Sequence, residues 1–240
     1  MRACPGNHRG QGVTDRLTIL LLTKNEAGNI GPLIAGIKRE LQSAQPVFLV
    51  MDASSDSTAQ EAEQAGATVI SDPSPYGVAL TRGLREADSE WVMVLDADGS
   101  HRPQDALKLW QARDEADLVV GSRFVAGGGS EVRGFRLWLS RRLAWLFSTL
   151  ASLPARDVSS GFRLYRRALF ADASPQARFF NVQPELLAHA ALKGARVKEV
   201  GIYYAPRGQG KSKARVLRFG LAFLRSLWAI RRRLKARSST

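Results

Sequence analysis

Apolar residues fall along this chain in two alternating rhythms. Short unbroken runs, of the kind a sheet buries on both faces, cover residues 17–22, 47–51, 67–71, 91–95 and 118–121. Between them the spacing changes to that of helices. Over residues 28–41, Ile30, Leu33, Ile34, Ile37 and Leu41 recur at helical intervals. Further helices are predicted from Ser57 or Asp56 as cap to Ala65, from Tyr76-Gly77 to about Ala87, and from Pro103 to about Asp114. Strands alternating with helices at this pace predict parallel βαβ units in a doubly wound α/β sheet. Beyond residue 132 the rhythm changes. Residues 136–153 read as one or two interfacial helices, 157–163 as a polar loop, 183–193 as a helix and 197–203 as a strand. Residues 214–235 then read as a basic amphipathic helix.

These elements place polar residues at strand ends, where open α/β sheets bind ligands. Three such ends collect them: residues 23–26, 52–58 and 96–101. At the third, Asp96 and Asp98 follow a buried strand one residue apart. Two carboxylates so placed suit a hard divalent cation that shares its shell with phosphate oxygens. Alone, the pair reads equally well as a turn in which Asp98-Gly99 reverses the chain. His101 reads as a local hydrogen-bonding residue rather than a ligand, because hard cations prefer oxygen.

Charge sharpens the picture. The net charge is +13 over 240 residues. Residues 1–130 hold 12 Lys/Arg against 17 Asp/Glu, whereas residues 131–240 hold 23 against 5. The first part is therefore slightly acidic and the second strongly basic, which calls for an anionic partner: nucleic acid, a phosphorylated ligand or a lipid headgroup. No nucleic-acid-binding signature accompanies the charge. The single cysteine, Cys4, allows no internal disulfide and fits a reducing compartment. Residues 1–15 read as a polar leader, and no run approaches the roughly 18 apolar residues of a membrane span.

Taken in order, the motifs resemble family 2 glycosyltransferases of the GT-A fold, and among them the dolichol- or polyprenol-phosphate mannose synthases. The resemblance covers residues 17–213, with a domain over 16–213 and the basic helix over 214–240. It rests on Thr23-Lys24-Asn25-Glu26, on the acidic loop around Asp52, on Tyr76-Gly77 with Gly83, and on Asp96-Ala97-Asp98-Gly99-Ser100. It continues through Gly121-Ser122-Arg123-Phe124, Arg136 with Ser140, Asp157 to Arg163, and Arg207 with Gly210, Ser212 and Lys213. Met51 stands where the family usually has a second acid, and Ser100 where many relatives have Gln.

The resemblance implies a GT-A, Rossmann-like, mostly parallel sheet flanked by helices, with C-terminal amphipathic interfacial helices. It implies that Thr23, Asn25, Glu26, Asp52, Asp96 and Asp157 line the nucleotide-sugar site. Asp96, Asp98 and Ser100 would hold Mg²⁺ or Mn²⁺, and Asp98, Arg123 and Arg207 would carry catalysis. Arg123, Arg136, Ser140, Arg207 and Lys213 would hold the acceptor phosphate. The implied reaction moves a hexose, foremost mannose from GDP-mannose, to a polyprenyl or dolichyl phosphate with inversion. The expected setting is the cytoplasmic face of an anionic membrane, with room for a membrane-anchored partner subunit. Competing readings are another nucleotide sugar such as UDP-glucose, a soluble acceptor, a silent nucleotide-binding relative, and a basic nucleic-acid-binding protein.

Overall fold

The structure, a computed structural model, describes residues 16–131, 135–205 and Ile230. Of residues 135–137, 139 and 140 it describes the backbone alone. The first four strands are β1 (Leu17–Thr23), β2 (Val47–Asp52), β3 (Thr68–Ser71) and β4 (Trp91–Asp96). Helices α1 (Ile30–Glu40), α2 (Thr58–Gln64) and α3 (Tyr76–Glu86) connect them. Then come α4 (Pro103–Gln111), β5 (Leu118–Ser122), β6 (Gly129–Ser130) and α5 (Phe135–Ala151). The described chain ends with β7 (Arg163–Arg166), α6 (Val182–Leu192), β8 (Val197–Gly201) and β9 (Tyr203–Tyr204).

Seven strands form one sheet in the order β3-β2-β1-β4-β7-β5-β8. All neighbours are parallel except at β7, which runs antiparallel to both β4 and β5. The alternation along β1 shows how the sheet is covered. Ile19 and Leu21 face one apolar layer with α1 and α4, while Leu20 faces the opposite layer with α3, α5 and α6. Gly83 permits close packing on that second side, since a Cβ there would meet Leu20 Cδ1 at 2.6 Å.

Most predicted elements stand within a few residues of their expected bounds. Two expectations need correction. The polar loop 157–163 gives way at Arg163 to the central strand β7, whose side chains at 163–165 are buried. The strand expected over 197–203 breaks at Ile202, where β8 ends and β9 turns away to pair with β6. At α2, of the two cap residues expected, Asp56 accepts the Thr58 N–H, at 3.0 Å. The Ser57 hydroxyl instead reaches Glu61 Oε1 at 2.7 Å. The predicted helix over 214–235 lies outside the described residues apart from Ile230, which is helical and buried against the α5–α6 side of the core.

Candidate active site

Strand register brings two of the three polar strand ends beside each other. Thr23 pairs with Asp52 and Leu22 with Asp96, so the two acids flank the last residues of β1. Strand spacing puts them roughly 10 Å apart.

The Asp52 side is stitched together. Its Oδ1 accepts the hydroxyls of Thr23 and Ser54, each at 2.6 Å, and its Oδ2 accepts the Ser54 N–H at 3.2 Å. Asn25, in the left-handed region at φ 59°, donates its N–H to the Ser54 hydroxyl and receives the Ser55 N–H at its side-chain oxygen. Glu26 donates its N–H to Thr58 and accepts from the Asn29 amide. The loops after β1 and β2 are thus one hydrogen-bonded rim carrying Thr23, Asn25, Glu26 and Asp52.

The Asp96 side is different. Asp98 is buried, and its Oδ1 takes both the hydroxyl and the N–H of the fully buried Ser100, at 2.5 and 3.1 Å. Asp96 keeps 20% of its side chain exposed and receives no hydrogen bond from any described residue. His101 Nε2 stands 3.6 Å from its Oδ2. His101 does not make the local hydrogen bonds expected of it. Both ring nitrogens are buried without a hydrogen-bond partner among the described residues, and the ring packs against Phe162 and Tyr204. The turn is pinned by residues about 100 positions later: His101 bridges to Tyr204, and the Ala205 N–H bonds the Ser100 carbonyl at 2.9 Å.

No three His, Cys, Asp or Glu residues cluster to hold an ion among the described residues. A cation here would draw on Asp96 and Asp98, with the remaining oxygens from a bound diphosphate, which is how Mg²⁺ is ordinarily held at phosphate sites. The uncommitted Asp96 carboxylate and the all-oxygen donor set fit such an ion. Ser100 is near enough to bond Asp98, and its hydroxyl is spent on that carboxylate.

Beyond β5, Arg123 and Asp157 form a closed pair. Asp157 is fully buried; its Oδ2 takes Arg123 Nε at 2.8 Å and its Oδ1 takes Nη2 at 2.9 Å. Ser159 completes the group, donating to Asp157 and accepting from Arg123. Burial alone would raise the Asp157 pKa, but the Arg123 charge and hydrogen bonds outweigh it and hold the carboxyl below its ordinary range. Asp157 therefore positions Arg123. Arg136 and Ser140 fall on α5, their side chains outside the described residues, as are Arg207 and Lys213.

Of the residues that meet at the head of α3, Tyr76 and Gly77 belong to a motif read from the sequence, whereas Phe180 and Gln183 were not singled out. Tyr76, at the head of α3, stacks on Phe180 with ring centroids 4.4 Å apart. Gln183, at the start of α6, donates to the Tyr76 hydroxyl. Gly77 permits this meeting, because a Cβ there would stand 2.6 Å from the Ala177 carbonyl. Only its polar character at the start of a mostly apolar helix signalled Gln183. Glu185 accepts the N–H groups of Gln176 and Ala177, so it also braces this loop.

Comparison with known proteins decides the class. Residues 18–173 match the family described as Glycosyl transferase family 2. The chain belongs to that family. This glycosyltransferase is 31% identical to the undecaprenyl-phosphate mannosyltransferase of Micrococcus luteus, over 82% of this chain and 87% of that one. It is 30% identical to the polyprenol monophosphomannose synthase of Mycolicibacterium smegmatis, over 92% and 89%. Its fold matches glucosyl-3-phosphoglycerate synthase of Mycobacterium tuberculosis in complex with Mn²⁺, UDP and phosphoglyceric acid. That match has a TM-score of 0.66 at 20% identity and covers 90% of this chain and 78% of that one. The sheet is thus the GT-A fold expected from the motifs.

Proposed function

We propose that this glycosyltransferase moves mannose from GDP-mannose onto a polyprenyl phosphate at a membrane surface. The observation that carries the reading is the contrast at the β1 strand end: a prebuilt polar rim at Asp52 beside an uncommitted carboxylate at Asp96. The names of the Micrococcus and Mycolicibacterium relatives support the lipid phosphate as acceptor.

In this reading the rim of Thr23, Asn25, Glu26 and Asp52 receives the nucleoside, and Asp96 and Asp98 face the diphosphate. Mg²⁺ or Mn²⁺ held there supplies Lewis-acid stabilisation of the departing diphosphate. The acceptor phosphate is already an anion near neutral pH, so its oxygen attacks the anomeric carbon without a strong general base. The bond from that carbon to the diphosphate oxygen breaks, GDP leaves with the electron pair, and the centre inverts. Two phosphates must approach against their repulsion. Arg123, fixed by Asp157, together with Arg136, Ser140, Arg207 and Lys213, supplies donors for that purpose. Arg207 follows in sequence two residues after Ala205, whose N–H bonds the Ser100 carbonyl.

No helix of the described residues is long and apolar enough to cross a membrane. Helix α5 offers another way to reach lipid. Ala144, Phe147 and Ala151 pack inward, while Trp138 and Trp145 are 53% and 56% exposed on the other side, with Leu146 and Leu150. Arg141 and Arg142 are exposed among them. Tryptophan and arginine on an outward apolar face suit the headgroup region of an anionic leaflet. We assign this contact to the cytoplasmic face.

The test is transfer from radiolabelled GDP-mannose to polyprenyl phosphate in detergent, with Mg²⁺ or Mn²⁺ and with EDTA. Metal-dependent mannolipid, lost in Asp98→Ala, is the expected result. Product from UDP-glucose alone would change the donor, and transfer only to phosphoglyceric acid would replace the lipid acceptor. Flotation with anionic vesicles, diminished in Trp138→Ser/Trp145→Ser, checks the membrane face; equal flotation of both proteins overturns that role for α5.

A further inference from the structure

A chain of hydrogen bonds runs from β7 to the head of α3. Arg163 is fully buried, and a guanidinium only donates. It gives Nε to the Ser160 carbonyl, Nη1 to that of Gln183 and Nη2 to that of Val158, at 2.7–2.9 Å. The Tyr165 hydroxyl, two residues along β7, carries the chain onward. The proton goes to Gln183 Oε1 at 3.2 Å. The Gln183 amide places its oxygen toward Tyr165 and donates its Nε2 to Tyr76 Oη at 3.1 Å. The Tyr76 oxygen therefore accepts, its own O–H points onward, and no described residue receives it.

What it points toward is the Asp96 side of the site. A Cβ on Gly161 would stand 3.4 Å from Tyr76 Oη, 3.4 Å from Phe180 Cζ and 3.5 Å from Asp96 Oδ1. The phenol and the carboxylate thus border one small space left by a missing side chain, with an aromatic edge as its third wall. A phenol keeps its proton near neutral pH, so this group is a donor there.

We propose that Tyr76 O–H and Asp96 Oδ1 together bind one hydroxyl of the sugar being transferred. A sugar hydroxyl both donates and accepts, which matches a wall that only accepts beside one that only donates. A phosphate oxygen only accepts, and the Asp96 carboxylate repels it. Asp96 has lone pairs enough to face an ion and a hydroxyl at once. The inference rests on the nucleotide-sugar reading above and deepens it, because it makes Tyr76 a determinant of donor choice on the sugar rather than the nucleotide.

The experiment is calorimetric titration, in Mn²⁺, of the donor that wild type binds (GDP-mannose first, UDP-glucose second) and of its nucleoside diphosphate. Tyr76→Phe should weaken the nucleotide sugar roughly tenfold and leave the diphosphate unchanged, which also serves as the folding control. Gly161→Ala is the second variant. Its methyl makes only ordinary contacts with its surroundings, yet it fills the space, and it should show the same split with a loss at least as large. Equal affinity of wild type and Tyr76→Phe for the nucleotide sugar overturns this inference alone. Equal weakening of sugar and diphosphate also overturns it, by giving the phenol to the phosphates. Failure of wild type to bind any nucleotide sugar overturns the reading beneath it as well.

Discussion

Two carboxylates flank the last residues of β1, and they are treated in opposite ways. Asp52 is surrounded by donors from Thr23 and Ser54. Asp96, in register with the neighbouring residue, has none among the described residues and stays partly open. A buried or half-buried acid that the protein satisfies itself belongs to the frame. One that it leaves unsatisfied, at a strand end, is held for something that arrives. Asp157 is the extreme of the first kind, locked to Arg123 with no exposure left.

The largest effect that would break this contrast is in Asp96→Asn. Turnover should fall by roughly two to three orders of magnitude, the several kcal/mol of charge stabilisation at stake in a metal-assisted step. Its stability should stay within about 0.5 kcal/mol of wild type, because no hydrogen bond is removed. Activity with urea denaturation measures both, and a large loss of stability with activity retained would make Asp96 a frame residue.

Asp157→Ala tests the opposite pole. It strands the mostly buried Arg123 charge, so unfolding free energy should drop by about 3–5 kcal/mol. A drop of less than about 1 kcal/mol would show that the pair adds little to the frame. Asp52→Ala lies between, at about 1–3 kcal/mol, since two hydroxyls and an N–H lose their acceptor. It should also weaken nucleotide binding, read by titration with GDP. The smallest effect is in acid. Asp157 titrates below its unfolded value of about 3.9, so the stability it contributes is present above that pH and is lost as the pH falls toward the folded pKa. Asp72 and Asp117 are lowered too and share the acid limb. Asp157→Asn should therefore be less stable at neutral pH and show a flatter decline below about pH 4 in denaturation followed by circular dichroism.

Most of the parallel part of the fold was legible, because buried strands and amphipathic helices write different periods into the chain. The sheet's one antiparallel insertion was not. Arg163-Leu164-Tyr165-Arg166 carries a charge at each end and spans four residues, and periodicity cannot announce that Arg163 will be buried against main-chain carbonyls. The strand-end acids could be placed from the sequence, whereas their difference could not. Nothing in the letters of Asp52 and Asp96 says which will be surrounded by hydroxyls. His101 shows the same limit, since its polarity predicted hydrogen bonds and its position between Phe162 and Tyr204 denies them. Tyr76 and Gln183 are 107 residues apart in sequence, and only the folded chain puts one against the other.

The lone antiparallel strand also sets an order of events during synthesis. The edge of β4 that β7 will cover leaves the ribosome 67 residues before Arg163 does, and β5 has no partner in the sheet until β7 or β8 arrives. At roughly 5–20 residues per second, that is a delay on the order of 3–13 s in which an apolar strand edge stands open. During that interval the nascent chain is a substrate for chaperones and a hazard to its neighbours on the same message. The short strand carrying Arg163 ends it by joining both halves of the sheet in one step.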